Sequence, residues 1–159
     1  MKVLVDVQHA CDGDTIPDVE IVDAWVTRAV DAASVPNDVE VSVRIVNADE
    51  IKCLNREYRD QDKATNVLSF PAGPLAGLPA DTPLLLGDIV VCASIVASEA
   101  AEQGKAVAAH WAHMLVHGTL HLLGFDHEDD SEAATMEALE TKILTTYGFP
   151  DPYGASGQT

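Results

Sequence analysis

The sequence predicts an α+β fold, a single domain with about four strands in one mixed sheet packed with four or five helices. Two patterns and one bound predict it. Apolar residues alternate at every second position in Val3, Val5, Val7 and in Val39, Val41, Val43, Ile45, as half-buried strands do. Elsewhere they recur three or four apart, as on the buried stripe of a helix. A chain of 159 residues, 47% of them apolar, has material for one core and excludes a disordered or collagen-like protein.

Residues 2–8 read as the first strand. Residues 18–35 place Val19, Val22, Val26, Val30 and Ala33 on one helical face, and Pro36 with Asn37 closes that helix. Residues 39–45 form the second strand. Asn47 or Asp49 then caps a helix through residue 58, with Ile51, Leu54 and Tyr58 on one side. A short strand over 66–70 enters residues 71–83, which hold four of the eight prolines, so an exposed loop is expected there. Residues 84–91 are a strand interrupted chemically by Gly87 and Asp88. Residues 92–103 form a helix ended by Gly104, and the next runs from 105 to 123, ended by Gly124. Ser131 caps a last helix reaching Gly148. One domain is expected over residues 1–150, with 151–159 a flexible tail.

Nine Lys and Arg against 26 Asp and Glu leave a formal charge of −17. Such a field repels polyanions, so bulk charge argues against nucleic acid. Five of the nine bases, however, crowd into residues 44–63 (Arg44, Lys52, Arg56, Arg59, Lys63) and predict one locally basic edge. Three scattered cysteines, Cys11, Cys53 and Cys92, exclude a disulfide framework and an all-cysteine zinc cluster. The most apolar tract, residues 89–97, is short of the about 20 residues a bilayer requires. The first residues lack a signal-peptide stretch. A soluble cytoplasmic protein with no membrane partner is expected.

Five of the six histidines fall within residues 110–127: His110, His113, His117, His121 and His127. From His117 onward the spacing is H-x3-H-x5-H. On a helix, His117 and His121 lie one turn apart and can pinch one metal ion. His113 shares their stripe, but eight residues span about 12 Å of helix. That is too far for His113 and His121 to meet one ion with ligands at about 2.0–2.1 Å. Gly124 breaks the helix and lets the returning chain bring His127 to the same point. His117, His121 and His127 are therefore the predicted metal ligands. Three imidazoles leave a fourth position for water, as at a catalytic ion.

A zincin H-E-x-x-H motif places a glutamate beside the first histidine as general base. Gly118 holds that place here, so peptidase chemistry lacks its base. Asp126 either orients a ligating histidine or caps the turn after Gly124. Asp88, in an apolar strand, reads as a buried carboxylate bonding backbone or helix N–H groups. Ser69 has no His or Asp neighbour in sequence and is assigned no nucleophilic role.

Residues 117–127, HGTLHLLGFDH, resemble the signature of the bacterial YbeY family of ribosome-maturation endoribonucleases. Three further stretches are similar to its pattern and follow its order: residues 54–59 (LNREYR), 63–71 (KATNVLSFP) and 86–89 (LGDI). Phe125 stands where tyrosine is commoner, and keeps the ring. Residues 1–45 and 128–159 carry little of the pattern.

The resemblance implies a zincin-like single domain holding one zinc ion, Zn2+, on the three histidines. It implies a zinc-dependent, single-strand-specific endoribonuclease of late ribosomal RNA processing, at the 3′ end of the small-subunit RNA, and of ribosome quality control. Arg59 matches the family's arginine facing the metal cleft and is the implied catalytic residue, its guanidinium gripping phosphate by paired hydrogen bonds. The implied partners are ribosomal RNA and the ribosome, not DNA, with basic ribosomal proteins as one docking route for so acidic a chain. Two other functions stay open. One is a metal-dependent hydrolase of another bond class, against which Gly118 argues. The other is a non-catalytic, zinc-stabilised assembly factor, against which the open fourth ligand position argues.

Overall fold

The computed structural model describes residues 2–13, 15–73, 79, 82–125 and 129–153. Strands β1 (Val3–His9), β2 (Val39–Val46), β3 (Val67–Pro71) and β4 (Leu84–Cys92) form one sheet in the order β1-β2-β4-β3. β2 pairs in parallel with both β1 and β4, while β3 runs antiparallel to β4 at the edge. The helices are α1 (Val19–Ala32), α2 (Ala48–Arg59), α3 (Ala93–Gln103), α4 (Val107–Leu122) and α5 (Asp130–Thr146). The class is the expected one: α+β, with a mixed four-stranded sheet and five helices.

Alternation puts Val39, Val41, Val43 and Ile45 of β2 on the sheet face that carries the main core. There they join Leu86, Ile89 and Val91 of β4, Val26 of α1 and Leu115 of α4. The opposite face is covered at one end only, where Val46, Leu68, Val90 and Cys92 pack with Ile51 of α2. Leu4, Leu85 and Asp88 are exposed. Asp88 is thus not the buried carboxylate expected. Its apolar neighbours in sequence face the core or lie under α2, and the helix stops short of it. Arg44 lines the same open region as Asp88, paired with Glu50 at 2.6 Å and Gln8 at 2.9 Å.

Several element ends are set by capping chemistry. α1 stops at Ala32, short of residue 35, because Ser34 is left-handed (φ 57°) and Val35 precedes Pro36. Asn47, not Asp49, caps α2 by accepting the Glu50 N–H. Asp129 caps α5 by accepting the Glu132 N–H, which leaves Ser131 inside the first turn rather than at the cap. Gly87 has φ 135°, and a Cβ there would lie 2.2 Å from the Phe70 carbonyl oxygen, so β4 passes β3 only with glycine at this point.

Residues 74–78, 80 and 81 of the proline-rich segment lie outside the described residues. Its flanks are tied down. The Ala72 N–H donates to the Leu86 carbonyl, and Asn37 Nδ2 donates to the carbonyls of Pro79 and Thr82. Past residue 150 the chain returns to α5, where Thr141 donates to the Asp151 carboxylate and the Tyr153 hydroxyl donates to Glu140. Residues 154–159 lie outside the described ones. Among the described residues, no helix is long and apolar enough to cross a membrane.

Candidate metal centre

A cleft of 480 Å3 is lined by the edge strand β3, the last turns of α4 and the end of α2, with Arg59, Asn66, Ser69, His117, His121 and Phe125 on its walls. Gly118 brings α4 against the sheet. A Cβ at this residue would lie 2.9 Å from Ile89 Cγ2, and the Ser69 hydroxyl donates to the Gly118 carbonyl at 3.0 Å. A zincin-type glutamate has no room at that position. The Ser69 hydroxyl is engaged as a tie between strand and helix.

His117 and His121 stand one helical turn apart with their Nε2 atoms 3.1 Å from each other. Two nitrogens each about 2.0–2.1 Å from one tetrahedral ion stand about 3.3 Å apart. The pair therefore fits a single ion at the cleft. His127, the expected third ligand, and Asp126 lie outside the described residues.

Behind His117 sits Glu140 of α5, which is completely buried. The His117 Nδ1–H donates to Glu140 Oε2 at 2.5 Å, and the Tyr153 hydroxyl donates to Oε1. His113 Nε2 donates to the Tyr153 oxygen at 3.0 Å and lies 3.4 Å from Oε1. Burial pushes the Glu140 carboxyl up, but hydrogen bonds from His113 and His117, the His117 charge and the Tyr153 hydroxyl outweigh it and hold the acid at about 2. Burial and the Glu140 hydrogen bond push the Tyr153 hydroxyl well above its ordinary range. A carboxylate only accepts, so the proton of a neutral His117 sits on Nδ1 and its Nε2 lone pair points at the cleft.

His113, His117 and Glu140 also form a group that could hold a metal ion, with one ligand atom from each within 4.8 Å of the others. The 2.5 Å contact between His117 and Glu140 is hydrogen-bond spacing, shorter than two ligands of one ion normally adopt. Glu140 is not among the residues expected at the site, although the sequence carries a signal for it. Met136, Glu140, Ile143 and Leu144 are all buried and share one helical stripe, and a glutamate in such a stripe needs an internal partner.

Arg59 ends α2, followed by Asp60 as a left-handed C-cap (φ 59°). Its guanidinium donates to the Ser69 carbonyl and lies 5.1 Å from the centre of the Phe70 ring. The expected basic edge is divided: among the described bases Arg59 alone lines this cleft, while Arg44 is held at Glu50. Asn66, also on the wall, is turned toward α3: its Nδ2 donates to Glu99, which accepts from His110 Nε2 at 2.8 Å. Burial lowers the His110 pKa, and the Glu99 hydrogen bond opposes this in part.

A family model described as Endoribonuclease YbeY matches residues 9–148. The chain belongs to the YbeY family. It is 56% identical over 146 residues to Endoribonuclease YbeY of Halorhodospira halophila, which covers 92% of this chain and 93% of that relative. The protein of the same name from Cellvibrio japonicus is 50% identical over 153 residues, 96% of this chain and 84% of its own length. That of Alcanivorax borkumensis is 51% identical over 157 residues, 97% and 88% of the two chains. The solution structure of TM1509 from Thermotoga maritima shares the fold, with a TM-score of 0.56 and 24% identity over 93% of this chain and 99% of that one. The YbeY match takes in both Arg59 and the histidine segment, and it reaches residues 9–45, where the motifs carry little of the pattern. Tyr153 lies beyond residues 9–148, the span that the family model matches.

Proposed function

We propose that this chain is a zinc-dependent, single-strand-specific endoribonuclease of late ribosomal RNA processing, acting at the 3′ end of the small-subunit RNA and in ribosome quality control. The observation that carries the reading is the meeting of His117, His121 and Arg59 at one cleft, in a chain whose relatives bear the name endoribonuclease. The ion is assigned to His117, His121 and His127, and Arg59 is assigned the catalytic role. When bound, such an ion supplies a water of lowered pKa and polarises a phosphoryl oxygen.

The chain's own residues do the rest. His117 keeps its proton on Nδ1, away from the cleft, and offers Nε2 beside that of His121. Arg59 spends one N–H on the Ser69 carbonyl, which holds the guanidinium at the rim. Its other donors are left to take two oxygens of a phosphodiester and to offset the charge that builds there in the transition state. Gly118 leaves α4 without the carboxylate that amide hydrolysis uses, which favours a phosphodiester over a peptide. A charge of −17 favours weak intrinsic affinity for RNA, with docking on the ribosome through basic ribosomal proteins. The scattered, free cysteines support residence in the cytoplasm.

The test is cleavage of precursor ribosomal RNA by the pure protein before chelation, after chelation and after zinc is returned. Cleavage of single-stranded segments, lost on chelation and restored by zinc, is expected. Undiminished cleavage by metal-free protein overturns the metal assignment. Absence of cleavage by zinc-loaded protein, on naked RNA and on precursor ribosomal particles alike, overturns the enzymatic reading in favour of a non-catalytic assembly role.

A further inference from the structure

We infer that Glu140 is the positioning residue of the metal centre: its buried carboxylate fixes the His117 proton on Nδ1 so that Nε2 faces the cleft as a ligand, and Tyr153 locks that carboxylate in place. This rests on the assignment of His117 as a ligand made under the proposed function.

Glu140 is completely buried, and a carboxylate without partners is not tolerated there. Both of its oxygens are engaged, Oε2 by the His117 Nδ1–H at 2.5 Å and Oε1 by the Tyr153 hydroxyl. The His117 ring bridges two environments, with Nδ1 against Glu140 and Nε2 3.1 Å from His121 Nε2. A neutral imidazole has one proton to place. On Nε2, that proton would be spent on His121 and leave no lone pair for an ion, while the Nδ1 lone pair would face the Glu140 carboxylate. On Nδ1, both conflicts disappear. A carboxylate behind a ligating histidine also raises the basicity of the ligating nitrogen.

The brace extends one step further. His113 Nε2 donates to the Tyr153 oxygen at 3.0 Å, which directs the phenolic hydrogen onto Glu140. This explains a third histidine on the α4 stripe that is too far along the helix to reach an ion beside His121. It also gives the residues after α5 a part in the site. An ion inside the group of His113, His117 and Glu140 would have to displace both the His117 proton and the Tyr153 hydroxyl from the carboxylate.

The experiment uses the full chain, with zinc affinity read by competition against a chromophoric chelator. The His117 tautomer is read in metal-free protein from long-range nitrogen–proton NMR of the imidazoles. The metal-free wild type is expected to carry the His117 proton on Nδ1. Glu140→Gln should bind zinc about 10- to 100-fold more weakly, and Tyr153→Phe, which keeps His113 Nε2 3.4 Å from Oε1, should stay folded and show a smaller loss. A proton on Nε2 in the wild type, or wild-type zinc affinity in folded Glu140→Gln, overturns the inference. If Glu140→Gln does not fold, Tyr153→Phe decides: weaker zinc binding supports the inference and unchanged binding overturns it. Zinc retained by His121→Ala but lost by His113→Ala and Glu140→Gln puts the ion in the buried group and overturns it as well. A wild-type chain that takes up no zinc instead overturns the metal assignment on which it rests.

Discussion

The Ser69 hydroxyl donates to the Gly118 carbonyl at 3.0 Å, fastening the edge strand to the histidine helix at a helical residue with no side chain. The contact sets the width of the cleft, since β3 and α4 form its two walls. Gly118→Glu should destabilise the fold by about 3 kcal/mol, because overpacking and a buried unpaired carboxylate act together and exceed the gain in helix propensity. It should confer no peptidase activity. Urea unfolding gives the first quantity, and a loss below about 1 kcal/mol would show that α4 can lift off the sheet.

Arg59 touches the rest of the protein through the Ser69 carbonyl and the Phe70 ring. Arg59→Glu should abolish RNA cleavage, keep bound zinc and change stability by about 1 kcal/mol or less, since exposed charges contribute little to folding. Arg59→Lys should recover only part of the activity, because it keeps the charge and loses the forked geometry. With a single arginine on the cleft, the affinity for RNA should fall only shallowly with salt. Full cleavage by metal-replete Arg59→Glu would remove the arginine from the mechanism.

The two possible ion positions share His117 and differ in its neighbours. His121→Ala and His127→Ala should each empty the site, whereas His113→Ala should keep zinc with a reduced affinity. Metal analysis of the purified variants separates the positions. The opposite pattern would place the ion between His113 and Glu140.

His110 carries the pH prediction. Its folded pKa lies below the unfolded value of about 6.5 because burial disfavours the charged ring. Between those two values the unfolded chain binds more protons, so this histidine's contribution to stability rises with pH and is lost on acidification below about 6.5. Urea unfolding with chelator present should show a flatter dependence in His110→Gln than in the wild type over that interval. Equal slopes would mean that Glu99 cancels the effect of burial.

Asn37 is a buried amide whose Nδ2 holds the carbonyls of Pro79 and Thr82. Asn37→Ala removes both bonds and should cost about 1–3 kcal/mol. Hydrogen exchange should quicken at Thr82 and Leu84 before the central strands respond. A uniform change across the sheet would show that the amide supports the core rather than this segment.

Local patterns in the chain were enough for the elements and for the histidine pair. Val39, Val41, Val43 and Ile45 alternate because one face of β2 is buried, and His117 and His121 meet because four residues make about one helical turn. Gly118 in place of glutamate could likewise be read directly. What covers each face could not. Asp88 sits among apolar neighbours in sequence yet is exposed, because α2 covers only one end of the second sheet face. Arg44 and Arg59 belong to one basic run, but the first is held at Glu50 while the second lines the cleft that the histidines also line. Glu140 follows His117 by 23 residues and Tyr153 follows it by 36, separations over which periodicity carries no information. Only the packing of α5 on α4 and the return of the chain past residue 150 put a carboxylate and a phenol behind His117. The residue types on the helix faces were set by the sequence alone; which buried group faces which histidine was decided by tertiary packing, because a burial stripe specifies that a side chain is inside and not what it meets there.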